Sequence, residues 1–353
     1  MAKAPRSLAG RVVAITGGAR GIGRATAAAL IARGARVAIG DIEAPLAERT
    51  ASELGAGTVG LPLDVTSRDS FAAFLNQVEG RLGPLDVLIN NAGIMPVGAF
   101  LEERDATAKR MVDINVHGVI FGSKLALDRF VSRGRGHLVN IASLAGKAAG
   151  PHVATYCATK FAVVGLSEAI RQEFAGTGVD VTVVMPVGVN TELYSGLQQL
   201  RSIKTPEPEE VAEAIVEALQ TGRYEVYVPK RMNATLRLTA LLPLRARDAI
   251  GNAMGGKDAI THPDHGARAA YEARMERTIA AARPSDVAPE AGPPAQPAAA
   301  QPAAAQPPPA QPAAAQPPPA QPAPAESEAA QPAAEPAPPP EREPEPAREP
   351  EAV

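Results

Sequence analysis

Residues 12–23 read VVAITGGARGIG (Val12 to Gly23), and the order of residue types in that stretch decides the fold. A short apolar, β-branched run suits a strand buried on both faces. Glycines then interrupt it, and helical spacing begins at Gly21. Strand, glycine-rich turn and helix together present backbone N–H groups to an anion. Gly17 permits the tight turn, Gly21 lets the backbone approach a pyrophosphate, and Gly23 lets the helix pack close to the strand. Arg20 and Ile22 complete the ligand-facing turn. A glycine cluster by itself reads equally well as an ordinary loop, so its place between a strand and a helix carries the reading.

Outward from this stretch the same alternation continues. Further strands are expected at Arg36–Gly40, Val59–Pro62, Val87–Asn90, Gly136–Ile141, Asp180–Met185 and Glu225–Val228, with helical segments such as Gly21–Arg33 and Thr155–Ala175 between them. That alternation predicts an α/β, Rossmann-like, doubly wound parallel sheet with right-handed crossovers, helices covering both faces in three layers. Three regions are expected: a dinucleotide-binding domain over 1–230, a basic helical extension over 231–283 that includes a helix at Ala267–Ala282, and a disordered tail over 284–353.

The tail reading rests on composition. From Pro284 onward the chain is almost wholly Ala, Pro, Gln and Glu, with no Leu, Ile or aromatic residue, so nothing there offsets the entropy of folding. QPAAAQPPPA occurs at 301–310 and again at 311–320, a repeat that favours extended conformers. A solubilising tail, a spacer and a docking segment for a proline-recognising partner all suit it. Charge divides at the same point: the net −3 of the whole chain combines an acidic tail with a mildly basic body. That excess is too small for nucleic-acid binding, and Trp is absent.

Cys157 is the only cysteine, which excludes an internal disulfide and points to a reducing, cytoplasmic location. Residues 1–10 lack the apolar core of a signal peptide, and no run reaches the roughly 18 apolar residues that span a bilayer. Residues 230–247 combine Lys230, Arg231, Arg237, Arg245 and Arg247 with Leu236, Leu238, Leu241, Leu242 and Leu244 and hold no acid. Such a segment can lie at a membrane interface or pack over the body, and Pro243 breaks any long helix in it. His262-Pro263-Asp264-His265 has metal-like residue types but no third anchor, so a surface turn is expected and no metal site. Cys157, on the helix that bears Tyr156, is read as small-residue packing facing away from that tyrosine.

Asp41 ends the second strand, where a carboxylate can accept from both ribose hydroxyls of an adenosine and would repel a 2′-phosphate. Arg20 argues the other way, but it can turn to solvent or bind pyrophosphate while Asp41 cannot escape. NAD is therefore expected over NADP.

Asn90-Asn91-Ala92-Gly93 follows the fourth strand, Ser143 the fifth, and Tyr156-Cys157-Ala158-Thr159-Lys160 opens the next helix. Together with the glycine turn, these motifs in order over residues 8–230 resemble the short-chain dehydrogenase/reductase family. The resemblance implies seven parallel strands in the order 3-2-1-4-5-6-7 and hydride transfer between nicotinamide and an alcohol or ketone. Tyr156 and Lys160, four apart on one helix, project from the same face. The ammonium and a nicotinamide cation would stabilise the phenolate. A shift from ~10 to about 7–8 needs roughly 3–4 kcal/mol, and Tyr156 then serves as general acid/base. Ser143 holds the substrate oxygen.

By resemblance, Lys160 also bonds the nicotinamide ribose, Asn115 holds a water behind it, and Asp64-Val65 meets the adenine. Asn91, Ala92 and Gly93 line the ribose side, and Val189 and Thr191 the carboxamide. The family usually has Pro-Gly where this chain has Pro186-Val187-Gly188, which puts the local backbone path in question. His152 and Met95 are expected to border the substrate. Residues Glu192–Thr205 form a lid that Leu193, Tyr194, Leu197, Leu200 and Ile203 make apolar, which favours a lipophilic secondary alcohol or ketone. The resemblance also implies a homo-oligomer paired through the helices of Asn115 and Tyr156. Two other readings stay open: an NAD(H)-binding redox sensor or scaffold whose Pro-rich tail recruits partners, and a dehydratase or epimerase using the same residues.

Overall fold

In the computed structural model, seven strands form one parallel sheet in the order β3-β2-β1-β4-β5-β6-β7. The strands are β1 Val12–Thr16, β2 Arg36–Asp41, β3 Val59–Pro62, β4 Val87–Asn90, β5 Gly136–Ile141, β6 Val179–Pro186 and β7 Glu225–Val228. The structure describes residues 4–199, 203–253, 255 and 258–280. Leu200 of the expected lid and the whole 284–353 tail lie outside them. Every strand stands where its apolar run puts it, within a residue at each end.

The helices are α1 Gly21–Ile31, α2 Ala44–Leu54, α3 Arg68–Leu82, α4 Asp105–Val112, α5 Gly118–Ser132, α6 Ala154–Glu173, α7 Pro208–Thr221, α8 Met232–Ala240, α9 Leu244–Ala253, α10 Asp258–Thr261 and α11 His265–Ala280. One core, with Ile15, Leu30, Ile39, Val184, Ile215 and Leu219, lies between the sheet and α1 and α7. On the opposite face Phe71, Phe74, Leu75, Leu88, Phe130 and Leu138 join α3 and α5 to the sheet. The central strands are buried on both faces, which is why they are continuous apolar runs rather than alternating ones.

Local sequence explains the helix ends that matter. Ser67 caps α3 by accepting from the Ser70 amide, and Glu207 with Glu210 forms a reciprocal cap on α7, which stops at left-handed Gly222. α1 begins without a side-chain cap, so the first-turn N–H groups are left for another acceptor. Between α4 and α5, Asp113–His117 adopts a wider π-turn carrying Asn115. The extension holds more helix than its sequence suggested: α8 and α9 are separated at Pro243, and α11 ends the described chain.

Candidate active site

The carboxyl ends of the strands open into a cleft of about 1390 Å³. Its walls include Gly17, Arg20, Gly21, Ile22, Asp41, Asp64, Val65, Asn91, Ala92, Gly93, Met95, Ser143, Tyr156, Lys160, Val189 and Thr191. Residues widely separated in sequence thus meet where a parallel sheet brings the ends of its strands together.

At one end the glycine turn is shaped by close backbone approach. Gly17 has φ +62°, and a Cβ there would sit 2.9 Å from Ala92 Cα; one on Gly23 would sit 2.4 Å from the Gly17 carbonyl. Asn91 braces this turn, its amide donating to the carbonyls of Thr16 (2.9 Å) and Gly17 (3.0 Å). Asn91 thus holds the turn while also lining the cleft. Asp41 is buried and accepts from the Ala19 (3.4 Å) and Glu43 (3.2 Å) amides. Burial nevertheless pushes its carboxyl above the usual range. Arg20 is not turned to solvent: it pairs with Glu43 at 2.7 Å and Glu192 at 3.3 Å. Asp64 accepts from the Thr66 amide (2.9 Å) and hydroxyl (2.7 Å), leaving Val65 buried beside Gly118.

At the other end Tyr156, Ser143 and Lys160 converge. The Lys160 ammonium lies 5.6 Å from the Tyr156 ring centre and donates to the Ile141 carbonyl at 3.0 Å. The Ser143 hydroxyl accepts from the Ala145 amide at 3.1 Å and donates to the Pro186 carbonyl at 3.4 Å. Burial pushes the Tyr156 phenol up despite the Ser143 hydroxyl beside it, and pushes Lys160 down to about 8. Without the cofactor's positive ring, desolvation of the phenolate outweighs what the protein side chains supply.

Asn115 is tied into the protein through its side chain. Its carbonyl accepts from the Ile94 amide at 2.9 Å, while its amide donates to the Ile94 carbonyl at 3.0 Å and the Thr159 hydroxyl at 3.1 Å. Both amide hydrogens are used, so the side chain pins the segment that follows β4. Gly93 packs between it and Lys160: a Cβ there would lie 3.2 Å from Asn115 Oδ1 and 3.6 Å from Lys160 Nζ.

The substrate side is an apolar cluster of Met95, Met111, Val153, Tyr156 and Cys157, with Leu193, Tyr194, Leu197 and Ile260 packed against it. His152 is not in the cleft wall, though Pro151 and Val153 on either side are. Its backbone is left-handed (φ +61°) and its carbonyl accepts from the Gly98 amide, so it makes the turn that delivers Val153. Cys157 lines the cleft rather than facing away. Val187 continues β6 by donating to the Val228 carbonyl at 2.9 Å. The need for glycine moves to Gly188, where a Cβ would meet the Tyr194 ring at 2.2 Å.

The helix expected at Ala267–Ala282 is present as α11, but its part in the cleft was not foreseen from the sequence. Arg268, Tyr271 and Met275, spaced along one face, are buried, and Tyr271, Arg274 and Met275 line the cleft. Their spacing was readable, but an Arg in a stripe usually marks a solvated face. Among the described residues no group of acids, His and Cys could hold a metal ion, and no helix is long and apolar enough to cross a membrane.

The family model for short chain dehydrogenases matches residues 11–201. The chain is 37% identical over 228 residues to 2-(S)-hydroxypropyl-CoM dehydrogenase 3 of Xanthobacter autotrophicus, covering 59% of this chain and 89% of that protein. It is 31% identical to human 17-beta-hydroxysteroid dehydrogenase 13, covering 70% and 84%. A short chain dehydrogenase/reductase from Burkholderia phymatum, solved in complex with NAD, superposes with a TM-score of 0.61 at 26% identity, covering 67% of this chain and 94% of that one. Order of motifs, strand order and these likenesses agree: the chain belongs to the short-chain dehydrogenase/reductase family, oxidoreductases that act on CH–OH groups with NAD(P).

Proposed function

We propose that this chain transfers a hydride between NAD(H) and a lipophilic secondary alcohol or ketone, with Tyr156 as the general acid/base. The observation that carries the reading is the convergence of Tyr156, Ser143 and Lys160 on the cleft whose other end is the glycine turn and Asp41. The turn fits a dinucleotide: its glycines let the backbone fold tightly against Ala92, Asn91 and Thr191, and α1 starts uncapped beside it. The NAD in the Burkholderia phymatum relative supports the same cofactor here.

When bound, NAD(H) accepts or gives the hydride. Gly17, Gly21 and Ile22 would hold the pyrophosphate, with Gly23 packed behind the turn, Asp41 would hold the adenosine ribose, and Val189 and Thr191 the carboxamide. Ser143 orients the substrate oxygen, and Tyr156 passes a proton to or from it. The raised phenol keeps that proton at neutral pH, which suits the acid role in ketone reduction; alcohol oxidation needs the cofactor's positive ring to draw the phenol down. Lys160 stands beside Tyr156 with donors left for the ribose. Asn115 positions Gly93–Ile94. The wall of Met95, Val153, Leu193 and Ile260 supports a lipophilic substrate.

The test is NAD⁺ reduction by the purified protein against a panel of lipophilic secondary alcohols, beside Tyr156→Phe. Turnover that collapses by about 10²–10⁴ in the variant supports the reading; equal turnover in both sinks it.

Two interactions accompany this reading. Leu238, Leu241, Leu242 and Leu244 are exposed where α8 meets α9, while Met232 and Leu236 pack on the body. This supports peripheral contact with a membrane through residues 230–247, and absence of co-sedimentation with anionic vesicles at low salt would end that idea. Phe161, 45% exposed on α6, supports pairing of two copies through α5 and α6, which light scattering reads directly. Deletion of 284–353 is expected to leave turnover unchanged.

A further inference from the structure

α11 carries a guanidinium that the reading above does not use. Arg268 is 1% exposed, and all its hydrogen bonds to the backbone run to the two lips of the cleft. It donates to the carbonyls of Leu193 (3.1 Å) and Ser195 (2.9 Å) in the segment after β6, and to that of Met95 (2.8 Å) after β4. Tyr271, on the same face, accepts the Met95 amide at 2.8 Å, so both backbone groups of Met95 are held by α11.

The lid is tied twice more to this helix. The Asp264 amide donates to the Gly196 carbonyl at 2.8 Å. Gly196 lies at φ +70°, where a Cβ would meet the Asp264 carbonyl at 2.4 Å. Glu192 bridges Arg274 (2.6 Å) and Arg20 (3.3 Å), extending the network from α11 to the glycine turn.

Burial of a guanidinium is costly, and where stability alone is at stake apolar side chains of similar volume often serve as well or better. What Arg268 adds is geometry: a rigid fork that fixes three carbonyls from two separate segments relative to each other. Those segments face each other across the apolar side of the cleft, with Tyr156 in the same cluster. We propose that Arg268 and Tyr271 are positioning residues that lock the lid to Met95 and so keep the alcohol pocket preformed. The lock sets affinity for an uncharged, apolar alcohol rather than the chemical step. This rests on the oxidoreductase reading.

The test compares the full chain with Tyr271→Phe, which keeps the ring, and Arg268→Lys, which keeps the charge but loses the fork. NADH affinity is read by fluorescence, kcat and KM with NAD⁺ and 2-decanol, and the lips by amide hydrogen exchange at Met95 and Leu193–Gly196. In each variant KM for 2-decanol rises about tenfold, kcat and the NADH Kd stay within about twofold, and both lips exchange about tenfold faster. A lower melting temperature with KM unchanged would make α11 merely structural and overturn the proposal. If Arg268→Lys does not fold, Tyr271→Phe decides alone. If the wild type binds NADH but leaves 2-decanol unoxidised, the substrate reading fails for that probe while exchange still decides: unaltered lips overturn the lock.

Discussion

Met95 and Arg268 stand 173 residues apart in sequence and 2.8 Å apart across the mouth of the cleft, carbonyl to guanidinium. The amide of Met95 is taken by Tyr271 at the same distance, in a buried setting. Removing the phenol oxygen strands that amide. Tyr271→Phe is therefore expected to lower unfolding free energy by about 1–3 kcal/mol in urea denaturation. A change near zero would mean that water takes the place of the hydroxyl.

Asp41 is proposed to set the choice of dinucleotide. Its buried carboxyl already accepts from two backbone amides and lines the cleft. The expected preference for NAD over NADP is at least about tenfold in dissociation constant, and Asp41→Ser should shrink it. Equal constants for the two cofactors in the wild type would refute this role.

Lys160 makes the site pH-sensitive. Burial lowers its pKa to about 8, so the ammonium is present below that pH and lost above it. Ketone reduction with NADH should keep its kcat/KM up to about pH 8 and fall beyond, with Tyr156 still protonated throughout. A pH profile flat to 10 would show that the charge on Lys160 is not needed.

His137, buried on β5 with its ring nitrogen 2.8 Å from the Thr182 hydroxyl, is pushed down to about 4 by burial. Its folded pKa lies below the unfolded value, so the unfolded chain binds the proton first. The stability that depends on neutral His137 is complete above about pH 6.5 and is lost as pH falls toward 4. The loss between pH 7.5 and 5 should be about 2 kcal/mol, and His137→Gln should remove that part of the slope. Parallel pH curves for both proteins would contradict it.

Two glycines should respond in opposite directions to alanine. A Cβ on Gly60 would sit 2.3 Å from the Ala47 carbonyl, where α2 lies on β3, so Gly60→Ala should destabilise by about 1–3 kcal/mol. Gly80, on α3, has nothing within 4 Å, so Gly80→Ala should stabilise by about 0.5–1 kcal/mol. Thermal unfolding of the pair reads both signs.

Local pattern was enough for the sheet. Each strand is a short apolar run, the central ones buried on both faces, and that signal needs no knowledge of neighbours. The glycine turn and the Tyr156–Lys160 spacing were legible for the same reason, since a strand-to-helix turn and one turn of helix are local geometries. The place of His152 outside the cleft wall was not legible, because the loop before Val153 depends on a left-handed backbone at a non-glycine residue. The extent to which burial raises the Tyr156 phenol was not legible, because desolvation depends on what the rest of the chain packs over it.

By itself, the sequence determined the strand–helix alternation, the dinucleotide turn, the strand-end carboxylate and the order of Ser143, Tyr156 and Lys160. These are carried by residue types within a few positions of one another. Only the tertiary structure decided which groups are already committed: Asn91 to the glycine turn, Asn115 to Ile94, Arg20 to Glu43 and Glu192, and Met95 to Arg268 and Tyr271. Such pairings join segments far apart in the chain. Hydrogen-bond partners and burial at that range follow from packing, which no local pattern specifies.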